Sequence, residues 1–425
     1  MDAALPSHPL RIPAFLAFLI VRFAAIIAQQ GMVLIIAWQV YNIARLSMAP
    51  AAAAAQLGLI GLIQFVALFA MTPISGLVAD RFNRRLIGIV TVLGQLSCAA
   101  ILMVSSHEGW ITLPLIFTLA ALLGVTRAFQ GPSLGSLTAN LVPAPLLPRA
   151  FALSSIAWQA GSIIGPAVSG YAYAIQPYYA YGASACLFLI SLIGLIFMGP
   201  VKQAEPDRTR HPLKQIVDGL TYVRRNRLVQ ATITLDLFAV LLAGTTALLP
   251  VYARDVLHVG SKGLGHLAAA PGIGAGAMAL YYSFFPMTRN VGIKMLISVF
   301  IFGAATISFG ATAFLPIALQ MPVALGSMIT WGAADMVSVF VRQSLVQLHT
   351  PDEMRGRVSA VSQLTISASN ELGEAESGFV AALIGPVQAV IVGGIGAIVI
   401  TLLWSRLYPE LKQARSFDPP KNLQN

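Results

Sequence analysis

The chain has 425 residues, of which 57% are hydrophobic and only 10% charged, and its mean hydropathy is +0.78. A water-soluble protein carries roughly 25% charged residues, so a soluble protein is excluded. With about 20 apolar residues needed per membrane-spanning helix, the composition allows about a dozen spans and excludes an enzyme held by a single anchor. The basic excess, 26 Lys and Arg against 16 Asp and Glu, falls in the hydrophilic segments between apolar ones. That is the pattern of residues that set membrane topology, and no nucleic-acid partner is expected.

Apolar windows occur at 13–43, 56–79, 86–106, 111–138, 150–174, 179–199, 229–252, 263–286, 292–313, 315–347, 357–384 and 386–407. This predicts an all-α integral membrane protein with twelve transmembrane helices, the first an uncleaved span because its apolar run is too long for a signal peptide. If both termini are cytoplasmic, 20 of the 26 basic residues lie in cytoplasmic loops and three in external ones, Arg45, Arg254 and Lys262. This asymmetry supports that orientation in a bacterial inner membrane. Cys98 and Cys186 stand apart in apolar runs and form neither a metal nor a redox pair.

The hydrophilic stretch from Pro200 to Arg227 divides the chain in two. The predicted organisation is a six-helix half at 1–199, a cytoplasmic linker at 200–228, a second six-helix half at 229–410 and a cytoplasmic tail at 411–425. In the linker, Leu213, Ile216, Val217, Leu220 and Val223 recur at helical spacing among basic residues, which predicts an amphipathic helix on the membrane surface. The halves also repeat. At an offset of 208, Gly124 matches Gly332, Pro143 matches Pro351, Arg149 matches Arg357, Ser154 matches Ser362, Gly165 matches Gly373 and Gly170 matches Gly378. Ordered matches of loop Pro and Arg followed by helix-packing Gly point to a duplication.

Three motifs carry a resemblance. Between the second and third windows stands Gly76-Leu-Val-Ala-Asp80-Arg81-Phe-Asn-Arg84-Arg85; the fourth holds Arg127-Ala-Phe-Gln130-Gly131; the fifth holds Gly161-Ser-Ile-Ile-Gly165-Pro166-Ala-Val-Ser-Gly170. In these spans and this order they resemble the signatures of the major facilitator superfamily. The stretches Trp38-Gln39-Val40-Tyr41 and Pro351-Asp-Glu-Met-Arg-Gly-Arg357 look like its branch of enterobactin-type siderophore exporters and macrolide efflux proteins. The resemblance implies two six-helix halves that alternate access to a central site. It implies a cytoplasmic latch built from Gly76, Asp80, Arg81, Arg84 and Arg85, and a part for Arg127 in proton coupling. It also implies a packing seam at Gly161, Gly165, Pro166 and Gly170, a motif associated with antiporting exporters.

Ionisable residues inside spans are functional candidates, because burying a charge costs several kcal/mol unless it is paired or hydrated. Asp236, Asp335, Glu371 and Glu374, with Arg127, are the proton-coupling candidates. Asp335 lies 208 residues after Arg127, so the two occupy corresponding positions; if both line the central cavity, a pair between the halves would make and break. Glu371 and Glu374 share a helical face, and two like charges there cannot both ionise cheaply, so at least one is expected to hold a proton. The same carboxylates are compatible with a structural polar network or with a hard divalent cation, but no metal site is assigned. Gln39, Gln130, Gln159, Trp158, Asn370 and Arg342 are the substrate-binding candidates.

No phosphate-binding loop, His-Glu-x-x-His motif or Ser/His/Asp arrangement occurs, so neither ATP coupling, nor a cofactor, nor an enzymatic activity is expected. The expected protein is a monomeric secondary transporter that exports a small molecule, a siderophore or drug-like compound, by proton antiport. The alternatives are an ion-coupled importer or an exporter of a metal or other cargo on the same fold.

Overall fold

The computed structural model describes residues 8–199 and 212–418. The first six long helices are α1 (Pro13–Ala44), α2 (Pro50–Arg81), α3 (Arg84–His107), α4 (Leu113–Leu141), α5 (Leu147–Ile175) and α6 (Pro177–Phe197). A 14-residue helix, α7 (Pro212–Arg225), follows. Then come α8 (Arg227–Leu242), α9 (Gly260–Phe284), α10 (Val291–Ala311), α11 (Ile317–Leu348), α12 (Asp352–Ile384), α13 (Pro386–Leu407) and the short α14 (Pro409–Gln413). Proline opens many of them, including α1, α2, α6 and α13, where its missing N–H has no helical partner to lose. Asn83 caps α3 by accepting from the N–H groups of Arg85 and Leu86 at 2.9 and 3.4 Å.

Among the described residues, eleven helical segments are long and apolar enough to cross a membrane. The expected eleventh span, α12, is 33 residues long, about 50 Å at 1.5 Å per residue, but Glu371, Glu374, Glu376 and its charged first turns dilute its apolarity. Large side chains such as Ile317, Phe197 and Leu383 are more than four-fifths exposed, as expected where the outer solvent is lipid. The expected seventh span is not one continuous helix. It stops at Ala243 and continues as irregular turns through Tyr252–Val256. Gly244 stands at the break, where its backbone lies against that of Gly373 and a side chain would strike it.

Contacts divide the chain into two compact units, one of Met1–Ile43, Ile63–Thr209 and Gly260–Ala269, the other of Ala44–Leu62, Arg210–Val259 and Ala270–Asn425. In the first, α3 packs on α4 and α6, and the start of α9 joins through a glycine seam. A Cβ at Gly170 would lie 2.6 Å from the Ser261 carbonyl and 2.9 Å from the Gly265 Cα. In the second, α10 packs on α11 and α13, α8 packs on α12 and α13, and the start of α2 lies on α12. A Cβ at Gly58 would lie 2.8 Å from the Ala375 carbonyl and 3.2 Å from the Gly378 Cα. Gly378→Val is therefore expected to lower stability by about 1–3 kcal/mol through overpacking, read as a lower melting temperature in detergent.

Beyond the end of the α11 span, the His349 carbonyl accepts from the Tyr222 hydroxyl at 2.7 Å, tying α7 to α11. Burial pushes the His349 imidazole below its usual value. The unfolded chain then binds the proton more readily, so this contribution to stability is complete above about pH 6.5 and is lost as pH falls through the lower folded value. Melting curves across that range should show a weaker acid-side decline in His349→Gln than in the parent.

Candidate functional site

In the second unit α11 presents Trp331, Asp335, Ser338 and Arg342 at spacings of four, three and four, which puts them on one helical face. On α8, Asp236 is 5% exposed, between the buried Leu235 and Ala239. Arg342 is 2% exposed, and its Nη2 lies 3.4 Å from Asp236 Oδ2. Around them Met295, Val299, Phe302, Val341, Leu345 and Trp404 form an apolar core. Arg342, a substrate-binding candidate by sequence, stands here as the counter-ion of a buried carboxylate.

A cavity with about 200 Å³ of empty space opens beside this pair, lined by Asp236, Ala239, Val240, Val299, Phe302, Asp335 and Ser338. About 10 Å³ of it admits the centre of a water molecule, room for a single water and not for a cargo. Among the described residues, Arg342 Nε, Ser338 Oγ and Trp331 Nε1 are buried without a hydrogen-bond partner. Two carboxylates, one guanidinium and a water-sized polar space in an apolar core make a site suited to a proton.

The first unit holds a second polar cluster. Arg127 on α4 donates from Nη1 to Gln64 Oε1 on α2 at 2.9 Å. Both line a small cavity with Gln29, Met32, Gln95 and Phe188, about 10 Å³ in volume and so room for a single water. Gln95 Nε2 on α3 donates to Gln130 Oε1 at 3.4 Å. The repeat-related positions 127 and 335 thus each line a polar cavity inside their own unit. Within its own unit Arg127 donates to an amide, and within the other unit Asp335 shares its cavity with Asp236.

Gln39 is 4% exposed; it accepts from the Tyr181 hydroxyl at 2.5 Å and donates to Ser106 Oγ at 3.4 Å. These bonds brace α1 against α3 and α6. Trp158 is 48% exposed on α5 and Asn370 is exposed on α12, while Gln159 is half-buried. On α12, Glu371 is buried and Glu374 half-buried; a Cβ at Gly61 on α2 would lie 3.1 Å from the Glu374 Cβ and 3.2 Å from the Glu371 carbonyl. Among the described residues no group of three or more His, Cys, Asp or Glu could hold a metal ion.

The signature glycines of α5 face two neighbours. A Cβ at Gly165 would lie 2.7 Å from the Ile27 carbonyl, and one at Gly161 would strike Ile26, both on α1. Gly170 faces the start of α9, and the Pro166 carbonyl lies 2.8 Å from where a Gly265 Cβ would stand. In the loop motif, Arg85 donates from Nε and Nη2 to the Leu195 and Ile196 carbonyls at 2.7 and 2.5 Å, capping α6. Arg84 reaches the Ala79 carbonyl at 3.5 Å, and Arg81 is exposed. Among the described residues, none lies within 4 Å of a Cβ position at Gly76. The Asp80 side chain lies outside the described residues.

Sequence reasoning missed Ser338 and Gln95. The first was legible as a member of the α11 stripe, and the second as one more amide inside an apolar span.

A set of long apolar helices with ionisable groups set among them marks a multi-pass membrane protein. The family model described as Major Facilitator Superfamily matches residues 14–374, and the chain belongs to that superfamily: it is a secondary transporter and not an enzyme. It is distantly homologous to the enterobactin exporter EntS of Citrobacter koseri, with 24% identity over 423 residues covering 96% of this chain and 94% of the relative. The enterobactin exporter EntS of Escherichia coli matches at the same identity and coverage. Among solved structures, a POT family transporter in complex with 5-aminolevulinic acid aligns with TM-score 0.72 and 13% identity, covering 93% of this chain and 96% of that one. A D-xylose-proton symporter aligns with TM-score 0.68 and 15% identity, covering 94% and 97%. These structural matches establish the fold alone.

Proposed function

We propose that the protein exports a small molecule, a siderophore of the enterobactin type or a drug-like compound, in exchange for protons across a bacterial inner membrane. It does so as a monomer with both termini in the cytoplasm. The observation that carries this reading is the buried pair of Asp236 and Arg342 with the half-buried Asp335 beside a space sized for one water. With both carboxylates ionised the cluster carries one net negative charge; with one proton added it is neutral. A net charge in an apolar core is costly, so the cluster exchanges a single proton as water reaches it from one side or the other.

Cargo binds elsewhere, at polar groups that include Gln130, Gln159, Trp158 and Asn370, with Arg127, Glu371 and Glu374 coupling cargo to the proton. The loop motif around Asp80, Arg81 and Arg84 latches the cytoplasmic side. Proton and cargo favour opposite states, without which no gradient would drive transport. The full-length relationship to exporters supports the outward direction.

The test uses purified protein in liposomes with a pH-sensitive dye in the lumen, offered enterobactin, a macrolide or a lipophilic cation under an imposed proton gradient. The expected result is proton movement that depends on one of these cargoes and runs opposite to it. Cargo movement with protons travelling in the same direction, or with none, overturns antiport.

A further inference from the structure

We propose that α7 is a lipid-binding helix whose exposed face engages anionic phospholipid headgroups of the adjoining bilayer leaflet. The helix carries apolar residues on two sides. One side is occupied: Gly219 and Val223 are buried, and Val223 packs with Val346, Val358 and Val361. Asp218 Oδ2 pairs with Arg357 Nη1 at 3.1 Å, and a Cβ at Gly219 would lie 2.6 Å from the Arg357 carbonyl, so α7 and α12 touch backbone to backbone.

The other side is left open. Val217 and Leu220 are 60% and 42% exposed, and Thr221 and Arg224 are exposed. At 100° per residue these four fall within one face. Arg225 is also exposed beside it. Asp218, the one acidic residue of α7 in the sequence, is taken up by Arg357, so the free face is apolar toward its start and cationic at its end.

The position of the helix selects the partner. Asn226 alone separates α7 from the membrane-spanning helix that begins at Arg227, and its side chain caps that span by accepting from the Val229 N–H at 3.2 Å. The free face is therefore fixed at the mouth of a span, at the depth where acyl chains give way to headgroups. Apolar side chains beside arginines at that depth match a lipid surface bearing negative charge. The inference needs only that the chain spans a membrane and is independent of cargo and coupling.

The test places an environment-sensitive fluorophore on Val217→Cys in a Cys98→Ala/Cys186→Ala background. The protein is reconstituted in mixed phosphatidylcholine and phosphatidylglycerol vesicles in which one lipid or the other carries brominated chains. A second label at Leu220→Cys gives an independent reading. The expected result is quenching by both brominated lipids, stronger from phosphatidylglycerol, with that preference falling roughly fivefold for each arginine removed in Arg224→Gln and Arg225→Gln. Quenching by aqueous iodide and not by either lipid, or equal quenching by the two lipids with both arginines present, would overturn the proposal. The readout uses no cargo, so its failure leaves the transport reading standing.

Discussion

The Asp335→Asn protein is expected to fold, insert and exchange cargo across the bilayer, and to lose all accumulation of cargo against a gradient. The substitution keeps the Asp236 and Arg342 ion pair, whose atoms lie 3.4 Å apart, and leaves it neutral in every state. A permanently neutral cluster has no use for a proton. In the parent, one proton exchanged per cargo allows at most about tenfold accumulation for each pH unit imposed, since one unit is worth about 1.4 kcal/mol. In Asp335→Asn the ratio should settle at one whatever the gradient, while exchange of labelled for unlabelled cargo continues. Flux measurements in vesicles at two imposed gradients distinguish these outcomes.

Arg342→Gln is expected to do the opposite, damaging the fold first. Asp236 is 5% exposed and Arg342 2% exposed, so removing the guanidinium leaves a carboxylate in an apolar core with no counter-ion. Breaking one partner of a buried pair typically costs about 3–5 kcal/mol. Thermal unfolding in detergent should show a loss of that size near neutral pH, and the deficit should shrink as the medium is made acidic, because a protonated Asp236 needs no cation. The Asp236→Asn/Arg342→Gln double variant should regain most of the loss, since neither charge then remains. If the single variant melts with the parent, the pair contributes nothing to the fold.

Much of the architecture was legible in the order of the residues. Apolar runs of span length, broken by short loops rich in arginine, follow directly from the bilayer as solvent, and the long helices appear where those runs stand. The break after Ala243 has a local signal in Gly244, Thr245, Thr246 and Pro250, but the close approach of the α12 backbone to Gly244 was not legible. Periodicity along one chain segment does not report what a distant segment does to it. The two apolar sides of α7 show the same limit: the spacing of Ile216, Val217, Leu220 and Val223 announced an amphipathic helix, yet not which side α12 would cover.

The site was legible as a set of residues and not as a set of contacts. Any ionisable group inside an apolar run is suspect on cost alone, and this rule selected Arg127, Asp236, Asp335 and Arg342. The pairing of Asp236 with Arg342 joins helices about a hundred residues apart and needed coordinates. The repeat offset related Arg127 to Asp335 in position, but did not reveal the neighbours each has within its own unit, Gln64 for Arg127 and Asp236 for Asp335. Gln39 was legible as one of several amides in the apolar spans; its partners Tyr181 and Ser106 come from helices whose approach the sequence does not encode locally.

The central claim, a single exchangeable proton on the Asp236, Asp335 and Arg342 cluster, is tested most directly by pH-difference infrared spectroscopy of the purified, membrane-embedded protein, which needs no cargo. A carboxyl C=O band that appears and disappears with pH in the parent, is absent from Asp335→Asn and shifts in Asp236→Asn is the predicted result. Identical difference spectra for the parent and Asp335→Asn across the whole pH range would contradict it.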